Sequence, residues 1–137
     1  MTFTHQTHTV NVAVVEEEDR GKRFMETDGM VTNVPGICLV TFYADCVPLY
    51  LVDPVRKVIG LSHSGWRGTV NRMGRVTLEK MHEVYGTDPE DVVAAIGPSI
   101  CQDCYEVSED VILESRRIFA RKTGMICTTA RKTESTS

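Results

Sequence analysis

The sequence has few of the features that mark membrane, nucleic-acid-binding or secreted proteins. Its longest apolar runs fall far short of the roughly 20 residues that a membrane-spanning helix needs. Lysine and arginine number 15 against 19 acidic residues, the formal net charge is −4, and no basic stripe follows one face. Residues 1–15 lack the basic start and apolar middle of a signal peptide. We therefore expect neither a membrane nor a nucleic-acid partner.

Cysteine occurs in an odd number, without a secretion signal to accompany it. The five cysteines are Cys38, Cys46, Cys101, Cys104 and Cys127. This combination favours reduced thiols in a cytoplasmic protein over a framework of disulfide bonds.

The chain is long enough for one domain with an apolar core, and its periodicity predicts an α/β or α+β fold. The predicted strands are 10–15, 30–33, 37–44, 47–53, 57–63 and a buried strand within 88–100, and the predicted helices are 70–85 and 108–122. The strands at 47–53 and 57–63 form a predicted hairpin. We expect one domain over residues 1–122 and a disordered or atypical tail over 123–137, because apolar periodicity ends at Thr123.

Side chains that zinc accepts as ligands lie at the ends of predicted strands. Cys46 follows one apolar run and His63 closes another, while His5 and His8 precede the strand at 10–15. Two histidines and a cysteine from separate segments match a zinc site with three protein ligands, which leaves a position for water or substrate. The same spacing also fits a cysteine that packs as a small hydrophobe and histidines held by ordinary hydrogen bonds.

The segment GWRG, residues 65–68, joins a predicted strand to a predicted helix. Its glycines allow a close backbone approach to a ligand, and Arg67 has the forked geometry that holds phosphate or carboxylate. The alternative is that Trp66 anchors the core and Arg67 serves a structural ion pair.

Two further features favour ordinary structural roles. CQDC, residues 101–104, is a lone C-x-x-C pair, which would be redox-active at a helix start but is more typical of packing or coincidence when no second pair is present. His82 lies on the polar face of the predicted helix at 70–85, which favours a surface position.

Four stretches together resemble the laccase-domain family of the YfiH type. They are TDGMVTN from Thr27, ADCVPLYLVD from Ala44, IGLSHSGWRGTVNRM from Ile59 and AAIGPSICQDCYEV from Ala94. The resemblance runs from about Gln6 to Phe119 with the motifs in order, so it is specific. Members carry names such as polyphenol oxidase, purine nucleoside phosphorylase and peptidoglycan editing factor. The implied fold is a layered α/β/β/α sandwich with mixed sheets, expected here to be incomplete at both ends.

The family pattern implies a zinc triad of His8, Cys46 and His63. His8 lies in QTHT, where the family has Q-x-H-G, so Thr9 replaces the usual glycine and His5 falls outside the motif. Cys46 matches A-D-C-x-P and His63 matches H-x-G-W-R-G. The family segment before the first motif and most of its C-terminal segment have no counterpart. We therefore expect a core fragment of a longer member.

The resemblance implies zinc-dependent purine nucleoside phosphorolysis, with adenosine deamination as a second activity. Adenosine, inosine, guanosine and methylthioadenosine are the candidate nucleosides, and phosphate is the second substrate. Cys46 and His63 would act at the reacting centre, and Arg67 would bind phosphate. Asp28 and Asp45 would be acid–base groups or would hold a metal-ligating histidine. Zinc is the expected metal and copper the alternative.

Other activities stay open. A single copper ion held by two histidines and a cysteine would suit phenol oxidation, although four histidines are too few for a multicopper centre. A hydrolase with Cys46 as nucleophile and His63 as base would need no metal and would act on a small substrate such as a peptidoglycan precursor. An inactive fragment that only binds is the remaining case. In each case we expect a small-molecule partner and a monomer or weak homo-oligomer.

Overall fold

The structure, a computed structural model, describes residues 1–119. The predicted tail at 123–137 and the predicted domain boundary at 122 lie outside the described residues and stay predictions. Contacts divide the chain into two compact units, residues 1–106 and the part that begins at Val107. The described part of the second unit carries the predicted second helix.

The first unit contains two sheets and two helices. The strands are β1 (Thr2–Thr4), β2 (Val12–Val14), β3 (Arg23–Phe24), β4 (Gly29–Thr32), β5 (Leu39–Val40), β6 (Val47–Asp53), β7 (Val58–Ser64) and β8 (Val93–Ile96), and the helices are α1 (Trp66–Val70), α2 (Met73–Tyr85) and, in the second unit, α3 (Glu109–Phe119). The strand orders are β3-β1-β5 and β2-β4-β7-β6-β8. The small sheet is parallel, whereas the large one is mixed, with only β2 and β4 parallel.

The large sheet has an apolar cluster on each face. On one face, buried residues of β4, β6 and β7 pack with Met81 of α2, and Gly60 leaves room for the helix because a Cβ there would lie 3.1 Å from the Met81 sulfur. On the other face, Val15 and Met30 pack with Phe24 and Leu39 from strands of the small sheet. The resulting order of sheet, sheet and helix confirms the α/β class predicted from periodicity and the layered sheets implied by the family resemblance.

The hairpin of β6 and β7 brings distant residues to one end of the large sheet. Asp53 stabilises the turn because its carboxylate accepts hydrogen bonds from the N–H groups of Val55 and Arg56, both at 3.0 Å. Val47 pairs with Ser64, so the residue before β6 lies beside the end of β7. The predicted hairpin is therefore confirmed, and its end opposite the turn carries the candidate ligands.

The predicted helix at 70–85 consists of two helices in the structure. Helix α1 already begins within GWRG, and Arg72, with φ of 62°, separates it from α2. Gly86 ends α2 in the left-handed conformation, with φ of 69°, and its N–H donates to the His82 carbonyl at 2.8 Å. The predicted glycine cap is confirmed, and so is the exposed position of His82.

The prediction of a buried strand within 88–100 is wrong. All four residues of β8 are exposed, with Val93 at 63% and Ile96 at 72%. The reason is that β8 lies at the edge of the large sheet and pairs only with β6. The predicted strand at 37–44 is also shorter than expected, since only β5 forms there. None of the helices within residues 1–119 combines the length and apolar character that a membrane crossing requires.

Candidate metal centre

His8, Cys46 and His63 meet at one end of the large sheet. His8 lies in the loop before β2 and is exposed, Cys46 is the half-buried residue directly before β6, and His63 lies in β7 with only 5% of its surface exposed. Their ligand atoms all lie within 4.8 Å of one another. The Cys46 Sγ is 4.0 Å from the His8 Nε2, and the two imidazole rings meet edge to face at 5.2 Å.

Asp28, directly before β4, is hydrogen-bonded to two of these candidate ligands. Its side chain is fully buried, and one oxygen lies 2.9 Å from the His63 Nδ1 while accepting a hydrogen bond from the His8 N–H at 3.1 Å. The His63 backbone N–H also donates to the Asp28 carbonyl, at 2.7 Å. With Nδ1 engaged by a carboxylate, Nε2 of His63 is left for the metal, an arrangement typical of metal-binding histidines.

The second oxygen of Asp28 holds the loop that carries His8. It accepts hydrogen bonds from the N–H groups of Thr7 and Thr9, at 3.3 and 2.8 Å, and from the Thr9 hydroxyl at 2.7 Å. Burial raises the pKa of Asp28, but the hydrogen bonds from Thr9, Thr7 and His63 outweigh it and leave the pKa lowered. The bonds also hold His8 in the left-handed conformation, with φ of 63°. Thr9, the departure from the family glycine, therefore adds a side-chain bond that glycine lacks.

The thiol of Cys46 lies in an environment that favours a cation beside it. Burial raises its pKa, and the nearby carboxylates of Asp45 and Asp28 raise it further. A lone thiolate is disfavoured there, whereas a bound metal ion would supply the positive charge that stabilises it. The electrostatics therefore suit a metal ligand better than a free nucleophile.

Gly65 is part of the site, although it carries no ligand atom. A Cβ built at Gly65 would lie 3.0 Å from the His8 ring and 3.1 Å from the Cys46 sulfur. Both contacts are tighter than ordinary van der Waals separation, so a side chain here would push the two ligands away. The glycines of GWRG predicted a close approach to a bound molecule, and in the structure the groups nearest Gly65 are the side chains of His8 and Cys46, two candidate metal ligands.

We expect Gly65→Ala to weaken metal binding about 10- to 100-fold, the range seen when groups that orient metal ligands are altered. The physical reason is that the new methyl group displaces His8 and Cys46. Competition titration with a zinc-sensitive dye measures the affinity. Gly68→Ala is the matched control, because its Cβ meets nothing closer than 3.6 Å. Equal affinities for the two variants would contradict this role for Gly65.

Tyr43 is a site neighbour that the sequence analysis missed. Its ring lies 5.5 Å from the His63 ring, and its hydroxyl donates to the Ser62 carbonyl at 3.1 Å. Burial raises the pKa of Tyr43 to about 12, so it remains a neutral hydrogen-bond donor. Tyr43 lies three residues before Cys46 in the chain, which already places it near one candidate ligand. Only the fold shows that its ring packs on His63, a candidate ligand in β7.

The other predicted site residues lie around the cluster. Asp45 is exposed beside Cys46, and its backbone carbonyl accepts the Ile100 N–H at 3.2 Å. Arg67 is exposed, and its guanidinium stacks 4.4 Å above the ring of half-buried Trp66. Among the ion pairs formed within residues 1–119, none involves the Arg67 guanidinium. The alternative role as a structural ion-pair partner therefore finds no support in the described part of the chain.

The donor set fits a metal ion of the kind expected. Two imidazole nitrogens and one thiolate sulfur are ligands that zinc takes, and three protein ligands leave a coordination position for a reactant. The exposure of His8 opens the cluster to solvent on one side. The His63 Nδ1 faces the Asp28 carboxylate, which leaves its Nε2 as a donor for a cation, and the carboxylates near Cys46 favour a positive charge beside its thiolate. The same donors also accept copper, so the donor set fits a metal ion without selecting which metal.

Comparison with protein families matches residues 1–136 to the family described as multi-copper polyphenol oxidoreductase laccase. Among characterised proteins, the chain is 42% identical over 117 residues to purine nucleoside phosphorylase YlmD of Bacillus subtilis, covering 80% of this chain and 42% of that protein. It is 40% identical over 119 residues to adenosine deaminase RL5 of an unknown prokaryotic organism, covering 82% and 45%.

Solved structures share the fold. The hypothetical protein YfiH of Bacillus licheniformis superposes with a TM-score of 0.80 at 35% identity, over 82% of this chain and 45% of that one. YlmD of Geobacillus stearothermophilus gives 0.78 at 33% identity, over 82% and 44%. The chain thus spans less than half the length of these relatives.

Proposed function

This chain belongs to the family described as multi-copper polyphenol oxidoreductase laccase, and from that premise we propose that it acts in zinc-dependent purine nucleoside phosphorolysis. Deamination of adenosine is the proposed second activity. Relatives named purine nucleoside phosphorylase and adenosine deaminase support the choice of substrate class. Adenosine, inosine, guanosine and methylthioadenosine are the proposed nucleosides.

The observation that carries the proposal is the cluster of His8, Cys46 and His63 with the Asp28 carboxylate behind it. A zinc ion held there would supply Lewis acidity to an oxygen atom of the reactants. Asp28 keeps the His63 ring oriented and fixes the His8 backbone, so the ligands need little rearrangement. The exposed side of His8 gives a small molecule access to the cluster.

Arg67 is proposed to bind the phosphate that attacks the nucleoside. Its guanidinium is exposed and stacked on Trp66, and Arg67 lies two residues beyond Gly65, where an added Cβ would meet His8 and Cys46. The stacking restricts the guanidinium, so less conformational freedom is lost when it grips an oxyanion. Phosphate held close to the sugar would gain reactivity from proximity and orientation. Inosine and phosphate would yield hypoxanthine and ribose 1-phosphate.

Two alternatives use the same residues. The family description favours copper-dependent oxidation of phenols as the second candidate. A metal-free hydrolase is less favoured, because a nucleophilic cysteine needs a lowered pKa and the surroundings of Cys46 raise it. The metal content of the chain and the products that it forms distinguish these two alternatives from the proposed phosphorolysis.

The test combines elemental analysis with product chromatography on the purified chain. The proposal expects one zinc per chain, phosphate-dependent release of hypoxanthine from inosine, and conversion of adenosine to both adenine and inosine. Copper in the chain together with oxygen consumption on a phenol would support the second candidate. Zinc without any nucleoside turnover, in this chain and in one extended to the length of its relatives, would refute the proposed activity.

We expect Arg67→Ala to raise the KM for phosphate about 10- to 100-fold, because a charge-assisted hydrogen bond contributes about 1.5 to 3 kcal/mol. Arg67→Lys should recover only part of the loss, since lysine keeps the charge but not the fork. Initial rates over a range of phosphate concentrations give the KM. The matched control is Arg75→Ala, because the exposed Arg75 guanidinium already pairs with Glu79 at 2.6 Å. An unchanged KM in both Arg67 variants would remove Arg67 from the phosphate site.

A further inference from the structure

Cys101 and Cys104, which are not members of the His8, Cys46 and His63 cluster, form a close pair of thiols. Their sulfur atoms are 3.0 Å apart and share a hydrogen bond. A single 3₁₀ turn, Gln102–Cys104, joins them, and the Cys104 N–H donates to the Cys101 carbonyl at 3.2 Å. The turn therefore places the two sulfurs side by side.

Packing does not account for the pair. Cysteines that serve as small hydrophobes are among the most buried residues in proteins, yet both thiols here are exposed. The segment from 101 to 110 is exposed throughout, so neither sulfur belongs to an apolar cluster. A lone C-x-x-C pattern favours packing or coincidence, and the exposure of both thiols excludes packing.

The two thiols are chemically unequal. The hydrogen bond between the two thiols and the bonds with nearby backbone groups lower the pKa of Cys101. The same contact raises the pKa of Cys104. A C-x-x-C pair with one thiolate-favouring sulfur and one thiol beside it resembles the attacking and resolving groups of thiol–disulfide exchange.

We propose that Cys101 and Cys104 are a reversible dithiol–disulfide pair that exchanges with low-molecular-weight disulfides. The Cys101 thiolate attacks one sulfur of the small disulfide, forming a mixed disulfide and releasing one thiolate. Cys104, losing its proton to solvent, then attacks the Cys101 sulfur and releases the second small thiolate. The protein dithiol is oxidised by two electrons and the small disulfide is reduced to two thiols, so the step balances.

The segment before the pair is hydrogen-bonded to the segment that carries Cys46. The Ile100 N–H, adjacent to Cys101, donates to the carbonyl of Asp45, which precedes Cys46. The Gly97 N–H donates to the Pro48 carbonyl at 2.9 Å. The loop that carries the thiols is thus bonded on both sides of Cys46, and a readout of oxidation must distinguish Cys46 from the pair.

The experiment equilibrates the purified full chain with mixtures of reduced and oxidised glutathione, alkylates the remaining thiols and maps them by mass spectrometry. We expect the peptide with Cys101 and Cys104 to lose both alkylatable thiols together, without carrying glutathione, and to regain both on reduction. Cys38, an exposed thiol, is the internal control and should instead form the mixed disulfide.

Two variants, each lacking one exposed cysteine of the pair, complete the test. Cys104→Ser should stop at a glutathione mixed disulfide on Cys101, because the resolving thiol is gone while a hydroxyl donor remains. Cys101→Ser should form its mixed disulfide on Cys104 more slowly. The proposal is overturned if wild type retains two alkylatable thiols under conditions that modify Cys38. It is also overturned if wild type and Cys104→Ser accumulate the same mixed disulfide.

Discussion

Asp28→Ala is expected to remove most of the metal affinity and to lower the free energy of unfolding by about 3 kcal/mol or more, because several buried donors lose their acceptor at once. In the native protein this side chain is fully buried and accepts bonds from the loop that carries His8 and from the His63 ring. Without it, His63 loses its orienting partner and His8 loses its backbone anchor. Zinc titration and denaturant unfolding measure the two effects.

The control variant must be destabilised and must leave the His8, Cys46 and His63 cluster intact. Asp53 meets that need, because it is also fully buried and accepts two backbone N–H groups, but at the turn of the β6–β7 hairpin. Asp53→Ala should be destabilised and should still bind zinc with unchanged affinity per folded molecule. If Asp28→Ala binds zinc as tightly as Asp53→Ala does, Asp28 does not position the ligands.

Asp28→Asn removes the charge of this side chain while nearly keeping its shape. The amide keeps one oxygen acceptor, so part of the loop is still held, but its NH₂ group faces N–H donors and cannot accept from them. We therefore expect an affinity between those of wild type and Asp28→Ala. The lowered pKa of Asp28 means that the charged form is the one present at neutral pH, and the variant removes that charge.

The sequence predicted the parts of this site that depend on local pattern. Strand periodicity located Cys46 and His63 at the ends of apolar runs, and the hairpin register brings them together. Strand periodicity did not distinguish His8 from His5, since both precede the same strand. Only the motif favoured His8, and the hydrogen bond from its N–H to Asp28 now gives a physical reason.

The parts that escaped prediction depend on contacts between segments. Asp28 was a candidate acid–base or supporting group, but its bonds to Thr9 and His63 cross 19 and 35 residues of chain and follow only from the strand order. Tyr43 was missed for the same reason. The burial of β8 was predicted wrongly because apolar composition does not reveal which strand lies at an edge.

Chelation is expected to lower the melting temperature of the wild-type chain, and added zinc should restore it. A ligand that binds only the folded state adds about 2.7 kcal/mol at a hundredfold excess over Kd. For a domain of this size that corresponds to a shift of about 8 to 12 °C. Thermal melts with chelator, without chelator and with added zinc measure it. The same melting temperature under all three conditions would favour the metal-free hydrolase or a purely structural role.

Cys46→Ser should abolish most of this chelator effect, whereas His8→Ala should leave part of it. Cys46 would supply a thiolate, which alone among the three candidate ligands would bring a negative charge to the metal, and a serine hydroxyl at neutral pH would not replace it. His8 is the exposed ligand on a loop, so its loss leaves Cys46 and the Asp28-bound His63 to hold metal more weakly. Cys38→Ser is the matched control, because that thiol is exposed and lies outside the cluster, and its melts should follow wild type. A chelator effect in Cys46→Ser as large as in Cys38→Ser would show that the metal binds elsewhere.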